Sequence, residues 1–416
     1  MSASTLSAST LSATAASGDI ATPAGNPGFL AGLLAEQPVP AALARIGAWV
    51  GGFWGKPVRV GNKIVVARHD HVVEALSRDL DFRIAPINEA RIDAVNGPFV
   101  LGMDRGTTLV HERRALYSAL AGVDIAVLRA LAERKAEALI VAAGDRIDAV
   151  EGFARPVAAT TAHQLFGIAG SEEQTFLDVA RAIFAHVFLN IGGDKAIEGR
   201  ALKASVLMRE WFDAEIKRRR EAADPGTDMM GMLLRGGALD DQGVRRTLGG
   251  MLVGSIDTTA SAVAKIVAMI GRDPAFARKV AADADNEERL AGWCREGLRR
   301  WPHNPILLRQ AASDTMLAGT AIRQGDQLFL WTQAAMLDPN MFPNPRTWHP
   351  DRPPGAYLHF GGGMHPCAGR IVNDYQIPLL VGALVRRGIR SVGKVAWAGP
   401  FPAHLPVQFE RGQFER

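Results

Sequence analysis

The chain has 416 residues, of which 48% are hydrophobic and 22% charged, and its 47 basic and 43 acidic residues give a formal net charge of +4. This composition is typical of a globular protein with a large core, and the mild net charge does not favour nucleic acid as a partner. With only two cysteines, Cys294 and Cys367, a disulfide framework is not expected and a reducing, cytoplasmic setting is.

The N-terminus differs in composition from the rest of the chain. Residues 1–25 are rich in Ser, Thr and Ala and contain Ser-Thr-Leu-Ser-Ala twice, which predicts a disordered low-complexity tail. The tail lacks the basic start and long apolar stretch of a secretory signal, and a transit peptide is the minor alternative. Since no window of about 18 uninterrupted apolar residues occurs, no membrane-spanning helix is predicted. Residues 26–416 are expected to form a single domain of a soluble protein.

The first half of this domain is predicted to be helical apart from one hairpin. The hairpin has strands at 58–60 and 64–67 around Gly61-Asn62. Residues 82–105 contain Pro86 and Pro98 without a clean period and are expected to be irregular. Helices are predicted at 38–54, 71–78, 112–170 (with breaks near residues 122, 144 and 156), 172–189 and 196–223.

The second half contains the longest apolar segment, residues 240–271, which predicts one long helix buried through the middle of the domain. A helix at 291–300 is stopped by Pro302, and short strands are predicted at 306–308 and 328–330. Residues 339–354 are proline-rich, and Pro378 should kink the helix after Gly369 or shift its start. The predicted fold class is mainly α with a small β portion.

The most specific pattern is Phe-Gly-Gly-Gly-Met-His-Pro-Cys-Ala-Gly-Arg at residues 360–370. It presents Cys367 in a glycine-rich loop just before an apolar run. Glycines let backbone approach a large flat group closely, and a helix N-terminus favours a nearby thiolate. A free cysteine taken alone is more often a small buried hydrophobe, so the interpretation depends on the patterns that accompany it.

Read as F-x-x-G-x-H-x-C-x-G, the loop resembles the haem-thiolate loop of the cytochrome P450 family. The resemblance extends over residues 30–410. It implies the cytochrome P450 fold, with haem b (iron protoporphyrin IX) between the long central helix and the helix after the cysteine loop. It makes Cys367 the axial ligand of the haem iron and places Phe360 and Gly369 at the cofactor.

A second pattern is Glu296-Gly297-Leu298-Arg299, which precedes Cys367 by 71 residues. Glu296 and Arg299 share one helical face and can form an ion pair, although most such pairs are solvated surface charges. The resemblance implies that Arg352 joins them in a structural charge network on the haem side.

A third pattern, Gly-Ser-Ile-Asp-Thr-Thr at 254–259, places an acid and an alcohol inside the apolar helix. Burying either group costs free energy unless it is satisfied, and bonds to nearby carbonyls or to an arginine are the structural alternative. The resemblance implies that Asp257 and Thr258 deliver protons beside a local bulge of the helix. Ser255 stands where the family most often has glycine, which puts the geometry of that groove in question.

Haem carries two carboxylates that need cationic or donor partners when partly buried. The resemblance assigns Arg309 and His365 to these propionates. The family's H-x-x-x-R pattern is not present near residue 111, because alanine stands at the fourth position after His111. Arg113 is the expected propionate partner from that region, and a solvated surface arginine is an equal alternative.

The same resemblance predicts which residues line a substrate pocket. All are apolar, which favours a small or medium hydrophobic substrate, although each is equally compatible with plain core packing. Arg91 and His186 remain open as carboxylate anchors. The predicted lining residues are Phe99, Val100, Phe184, Phe188, Leu252, Gly254, Ile306 and Phe401.

The resulting expectation is a cytochrome P450 monooxygenase that inserts one atom of O2 into its substrate, with electrons from a separate ferredoxin or flavodoxin. Arg370 is a candidate contact for such an acidic partner, with ordinary solvated charge as the alternative. A haem-thiolate peroxygenase or isomerase, or a non-catalytic haem gas sensor, remains the alternative function.

Overall fold

The computed structural model describes Ile20 and residues 55–168, 172–190, 192–398 and 401–410, with the backbone alone for Phe401. The predicted helix at 38–54 lies outside the described residues, and so does the predicted tail apart from Ile20. The division into a tail and one domain therefore stays a prediction.

Helices dominate the described part of the chain, as predicted. The α-helices are α1 His69–Ser77, α2 Ala85–Val95, α3 Thr107–Ala121, α4 Ile125–Ala143, α5 Arg155–Phe166, α6 Glu173–Phe184, α7 Lys195–Ala222, α8 Met229–Gly236, α9 Asp241–Val253, α10 Asp257–Ile270, α11 Pro274–Ala282, α12 Glu287–Arg300, α13 Thr332–Ala335 and α14 Arg370–Arg386. Short π-helical segments at Val150–Ala154 and Ala185–Leu189 precede α5 and follow α6, and 3-10 turns lie at Val100–Gly102 and Pro354–Ala356.

The β portion is small and divided among four sheets. The strands are β1 Val58–Val60, β2 Lys63–Val66, β3 Phe82–Arg83, β4 Arg146–Asp148, β5 Leu307–Ala311, β6 Thr315–Leu317, β7 Thr320–Ile322, β8 Gln327–Leu330, β9 Ile389–Val392, β10 Ala396–Ala398, β11 Phe401–His404 and β12 Pro406–Phe409. The largest sheet has the order β1-β2-β8-β5-β3. Its β1–β2 hairpin turns at Gly61, which has φ +62°, so the hairpin prediction is confirmed.

Two predictions of local structure are wrong. Residues 82–105 are not irregular throughout, because α2 occupies Ala85–Val95 with Pro86 in its first turn. The prediction took Pro86 as an interruption of helical structure. Proline is instead favourable in the first turn of a helix, because the backbone N–H that it lacks would have no partner there. The predicted helix at 240–271 is two helices, α9 and α10, separated at residues 254–256.

Helix α14 runs through Pro378 from Arg370 to Arg386, so the proline neither ends the helix nor moves its start. Ile377, Leu380 and Val381 are buried on either side of it. Packing of these side chains therefore outweighs the one backbone bond that proline removes.

The core divides into three clusters of buried apolar side chains. The first packs around α6, α7 and α9, the second around α10, α12 and α14, and the third lies on the five-stranded sheet. Asp241–Ile270 is one continuous stretch of the described chain that is long and apolar enough to cross a membrane, and 78% of its apolar window is buried inside the fold. Helices α9 and α10 are thus central core helices, as predicted.

Candidate functional site

The cysteine loop folds back on itself before α14 begins. The Cys367 backbone N–H donates to the Phe360 carbonyl at 2.8 Å, and the Gly361 N–H donates to the Leu358 carbonyl at 2.9 Å. Gly361 and Gly363 have φ of +70° and +66°, which side chains rarely tolerate. A Cβ on Gly363 would also lie 1.8 Å from the Leu76 carbonyl oxygen. These two glycines are therefore required by the turn and by its close approach to α1.

The Cys367 side chain is a free, accessible thiol that lines a cavity of about 360 Å³. Burial of the loop raises the pKa of this thiol, while the backbone N–H groups of Gly369 and Arg370, directed at the sulfur, act in the opposite direction. N–H groups at the start of α14 thus stabilise negative charge on the sulfur. The sulfur therefore has two N–H groups that favour its thiolate form, and it lies on the wall of the cavity, where a ligand can reach it.

The cavity lies between the two halves of the central helix on one side and the cysteine loop with the start of α14 on the other. Every residue predicted to bind the cofactor lines this cavity. The predicted residues that line it are Cys367, His365, Arg309, Arg113, Phe360, Gly369, Thr258 and Ser255.

Three basic side chains meet on this cavity without a carboxylate in contact among the described residues. Arg309, on β5, is only 6% exposed, and its one described hydrogen bond goes from Nη1 to the neighbouring Leu308 carbonyl at 2.8 Å. Burial lowers the pKa of Arg309 to about 10. Burial also lowers the pKa of His365 to about 4, and the charges of Arg309 and Arg113 contribute. Arg113 Nη1 donates to the Met364 carbonyl at 2.6 Å.

This donor set fits haem. A buried guanidinium group is costly unless an anion pairs with it. Among the described residues, the buried Arg309 and the half-buried Arg113 face a shared cavity instead of a carboxylate. Two haem propionates would supply the missing anions, and the Cys367 sulfur on the same cavity would supply an axial ligand.

The central helix is interrupted where it passes the cavity. At the break, the Ser255 N–H and hydroxyl both donate to the Leu252 carbonyl, at 3.0 and 2.7 Å, and Thr258 Oγ1 donates to the Gly254 carbonyl at 2.5 Å. These side-chain bonds replace part of the helical ladder, as hydroxyls in helices often do. Thr258 and Ser255 line the cavity, and the Ser255 hydroxyl is turned toward its own backbone.

Asp257 takes a different position from Thr258. It does not line the cavity but is buried at the start of α10, where Arg181 donates to its Oδ1 from Nε at 3.0 Å and Nη2 at 2.7 Å. Arg155 Nε lies 3.1 Å from the same oxygen, and Glu151 pairs with both arginines at 2.6 and 3.1 Å. Burial alone would raise the pKa of Asp257, but the two guanidinium groups hold it below its ordinary value. Oδ2 is buried and has no hydrogen-bond partner in the described structure.

The structure brings Glu296, Arg299 and Arg352 together. Glu296 and Arg299 are both 0% exposed and form two hydrogen bonds, at 2.7 and 2.9 Å, while Arg352 Nε lies 3.5 Å from Glu296 Oε1. The Tyr357 hydroxyl and the His349 N–H also donate to Glu296, at 2.9 and 3.1 Å. These contacts tie α12 to the irregular segment that leads into the cysteine loop.

Most of the predicted substrate-contacting residues lie on the cavity, namely Phe99, Val100, Phe184, Phe188, Gly254 and Ile306. The prediction that Leu252 contacts substrate is corrected by the structure. Leu252 is fully buried in the first core cluster and is not part of the cavity wall. The cavity face of the central helix carries Gly250, Met251 and Gly254, and Leu252 points away from it because of the 3.6-residue period. The side chain of Phe401 lies outside the described structure.

The sequence reasoning missed His303, which lies on the cavity between Pro302 and Asn304. Its ring centroid is 5.6 Å from that of Phe184, and its Nδ1 is buried with no partner among the described atoms. Burial lowers the pKa of His303 to about 3, and Lys265 contributes to the shift, so the imidazole is neutral at pH 7. No local pattern marked this residue, because its place on the cavity depends on a contact with Phe184, which is distant in the chain.

Comparisons with known proteins agree with this geometry. The family model described as Cytochrome P450 matches residues 183–387. Cyclooctat-9-en-7-ol 5-monooxygenase from Streptomyces melanosporofaciens is 29% identical over 215 residues, which are 44% of this chain and 47% of that protein. The biotin biosynthesis cytochrome P450 of Bacillus subtilis is 23% identical over 58% of this chain and 60% of its own length.

The chain thus spans about half to three fifths of the length of these curated relatives. The likeness of fold extends further. The crystal structure of CalO2 superposes with a TM-score of 0.79 at 21% identity, covering 91% of this chain and 98% of CalO2. The matching family model, the shared fold and the cysteine cavity together show that the chain belongs to the cytochrome P450 family.

Proposed function

We propose that this protein is a haem-thiolate monooxygenase that inserts one oxygen atom from O2 into a hydrophobic substrate of small or medium size. The observation that carries the proposal is one cavity lined by a free thiol, Cys367, and by two guanidinium groups, the buried Arg309 and the half-buried Arg113, that no carboxylate of the described residues contacts. That combination suits a planar cofactor with one axial thiolate and two acidic side chains.

In this proposal Cys367 would ligate the haem iron, Arg309, Arg113 and His365 would hold the propionates, and Phe360 and Gly369 would flank Cys367. Haem bound through a thiolate supplies the chemistry of O–O bond cleavage and substrate oxidation. The protein's own contribution is to orient the substrate, exclude water and supply protons.

Proton supply is assigned to Thr258 and Asp257. The Thr258 hydroxyl lies on the cavity at the break of the central helix and donates its one proton to the Gly254 carbonyl. Its oxygen is therefore placed to accept a hydrogen bond from a ligand or water. The adjacent Asp257 carboxylate keeps Oδ2 without a described partner. A buried acceptor of this kind favours an ordered water, and through such a water the carboxylate would reach the cavity that it does not itself line.

The apolar wall of the cavity supports a hydrophobic substrate. Phe184 and Phe188 stack with ring centroids 4.6 Å apart, and Phe99, Val100 and Ile306 add to the same apolar surface. These side chains exclude water from the space above the cysteine loop.

Electrons are proposed to come from a separate ferredoxin or flavodoxin. Arg370, at the start of α14, is exposed and pairs with Asp374 at 3.0 Å. An acidic partner can compete for a pair of this exposed kind, because such pairs contribute little stability. Two free cysteines are consistent with the proposed cytoplasmic location.

The first experiment is the absorption spectrum of the haem-loaded protein, reduced and bound to CO. We expect a Soret band near about 450 nm, as thiolate ligation gives. Cys367→Ala should abolish this band, whereas Cys294→Ala should keep it, since Cys294 is buried away from the cavity. A well-folded wild-type protein without the band, or a band that survives Cys367→Ala, would refute thiolate ligation.

The second experiment tests turnover. The protein is supplied with a ferredoxin, its reductase, NADPH and isotopically labelled O2, and a panel of hydrophobic compounds is screened for products. One labelled oxygen atom per product is expected. Product formation from peroxide but never from O2 with electrons would favour the peroxygenase alternative.

A further inference from the structure

Arg91 is a charged residue on an otherwise largely apolar stretch of the cavity wall. It lies on α2 and lines two spaces, the main cavity and a smaller pocket bordered by His186 and Asn190. Arg91 therefore stands where the cavity meets the segment between α6 and α7.

The guanidinium of Arg91 is held in place but has no counter-ion among the described residues. Nη2 donates to the Ile87 carbonyl at 2.8 Å and to Asn88 Oδ1 at 3.3 Å. Nε is buried without a hydrogen-bond partner, and no carboxylate contacts the group in the described ranges. Burial lowers the pKa of Arg91, which reflects a cation in surroundings that solvate it poorly.

Arg91 is separate from the cations assigned to the propionates. Arg309 and Arg113 both act on His365, next to the cysteine loop. Arg91 instead lowers the pKa of His186, although burial is the main cause of that shift. The acidic residue of the smaller pocket, Glu198, is paired with Lys195 at 2.7 Å. Arg91 thus lies on the part of the cavity wall next to the smaller pocket, apart from the cations beside the cysteine loop.

We infer that Arg91 anchors the carboxylate of an otherwise hydrophobic substrate, which narrows the substrate class to amphiphilic carboxylic acids. The inference rests on the proposed function. A guanidinium offers paired donors that match a carboxylate, and charge-assisted bonds of this kind are strong where water is excluded. Asn88 orients the group, and Phe184, Phe188 and Phe99 contact the apolar body.

Ligand binding to the haem-loaded full chain tests this inference. Octanoic, decanoic and dodecanoic acids and 1-naphthoic acid are titrated beside their methyl esters, and the shift of the haem Soret band gives each Kd. At least one acid should bind about tenfold or more tightly than its ester, since only the acid offers a charged acceptor to the Arg91 guanidinium.

Three variants make the test specific. Arg91→Gln should weaken the best acid about tenfold or more and leave its ester within about twofold, while Arg91→Lys should retain part of the preference. Lys217→Gln on α7 is the matched control, because it removes a positive side chain that is 76% exposed, pairs with Glu221 and lines neither the cavity nor the smaller pocket. It should change neither Kd.

Equal binding of acids and esters by the wild-type protein would overturn the inference, and so would equal weakening of both by Arg91→Gln. Failure of every acid to bind to protein that shows the band near about 450 nm would overturn it as well. Loss of the band itself would instead refute the proposed function, so the two failures are distinguishable.

Discussion

Replacing Glu296 by glutamine should strongly destabilise the fold, although the side chain keeps its size. Both carboxylate oxygens accept hydrogen bonds: two from Arg299 at 2.7 and 2.9 Å, one from Tyr357 at 2.9 Å and one from the His349 N–H at 3.1 Å. The amide would place an NH2 group against donors and leave Arg299, which is 0% exposed, without a charged partner.

Removing one partner of a buried ion pair costs about 3–5 kcal/mol, because the other charge stays buried and uncompensated. Tyr357→Phe removes one of the four bonds and leaves the ion pair intact. It should cost about 1.5–3 kcal/mol, the usual contribution of a hydrogen bond to a charged group. The ratio of the two losses therefore reports how much of the network's stability belongs to the charge pair.

Urea unfolding of wild type and variants, followed by tryptophan fluorescence, measures both losses from the midpoint and slope. The control is Arg289→Gln on the same helix, whose side chain is 37% exposed and pairs with Asp283 and Asp351 at 3.0 and 2.8 Å. Its midpoint should stay close to that of the wild type, because solvent screens exposed pairs. If Glu296→Gln shifted the midpoint no further than Arg289→Gln does, the reasoning would be refuted.

Two further predictions concern the central helix. Thr258→Ala should retain the Soret band but lower the product formed per O2 consumed, because the cavity loses the hydroxyl oxygen that accepts a hydrogen bond from a protonated ligand or water. Thr258→Ser should restore part of the coupling, and unchanged coupling in Thr258→Ala would remove this hydroxyl from the mechanism. Lys265→Met should stabilise the protein at pH 7, because burial lowers the pKa of Lys265 from its ordinary 10.5 to about 7. The one described hydrogen bond of Lys265 goes to the Pro302 carbonyl at 3.1 Å. The unfolded state then binds more protons between pH 7 and 10.5, so wild-type stability rises with pH across this window. As the pH rises across this window, the increase in urea midpoint that Lys265→Met gives over the wild type should therefore become smaller. An increase that does not depend on pH would contradict the prediction.

Local spacing in the sequence predicted the family and the parts of the site that depend on short segments. The cysteine loop, the Glu296–Arg299 pair and the acid–alcohol pair each lie within a few residues of one another. Their geometry follows from one turn or one helical face. The same local view failed at Pro86, because proline marks both the start and the interruption of a helix.

Tertiary structure decided what the charged side chains face. Arg181 and Asp257 are 76 residues apart in the chain, yet they form a buried ion pair, and packing of α6 against α10 places Asp257 away from the cavity that Thr258 lines. Arg91 and His303 carry no pattern of their own, and their position on the cavity follows from where α2 and β5 pack. The sequence by itself determined the cysteine loop and the family, since these depend on neighbours in the chain. The direction of each buried charge depends on contacts between distant segments, which no local pattern contains.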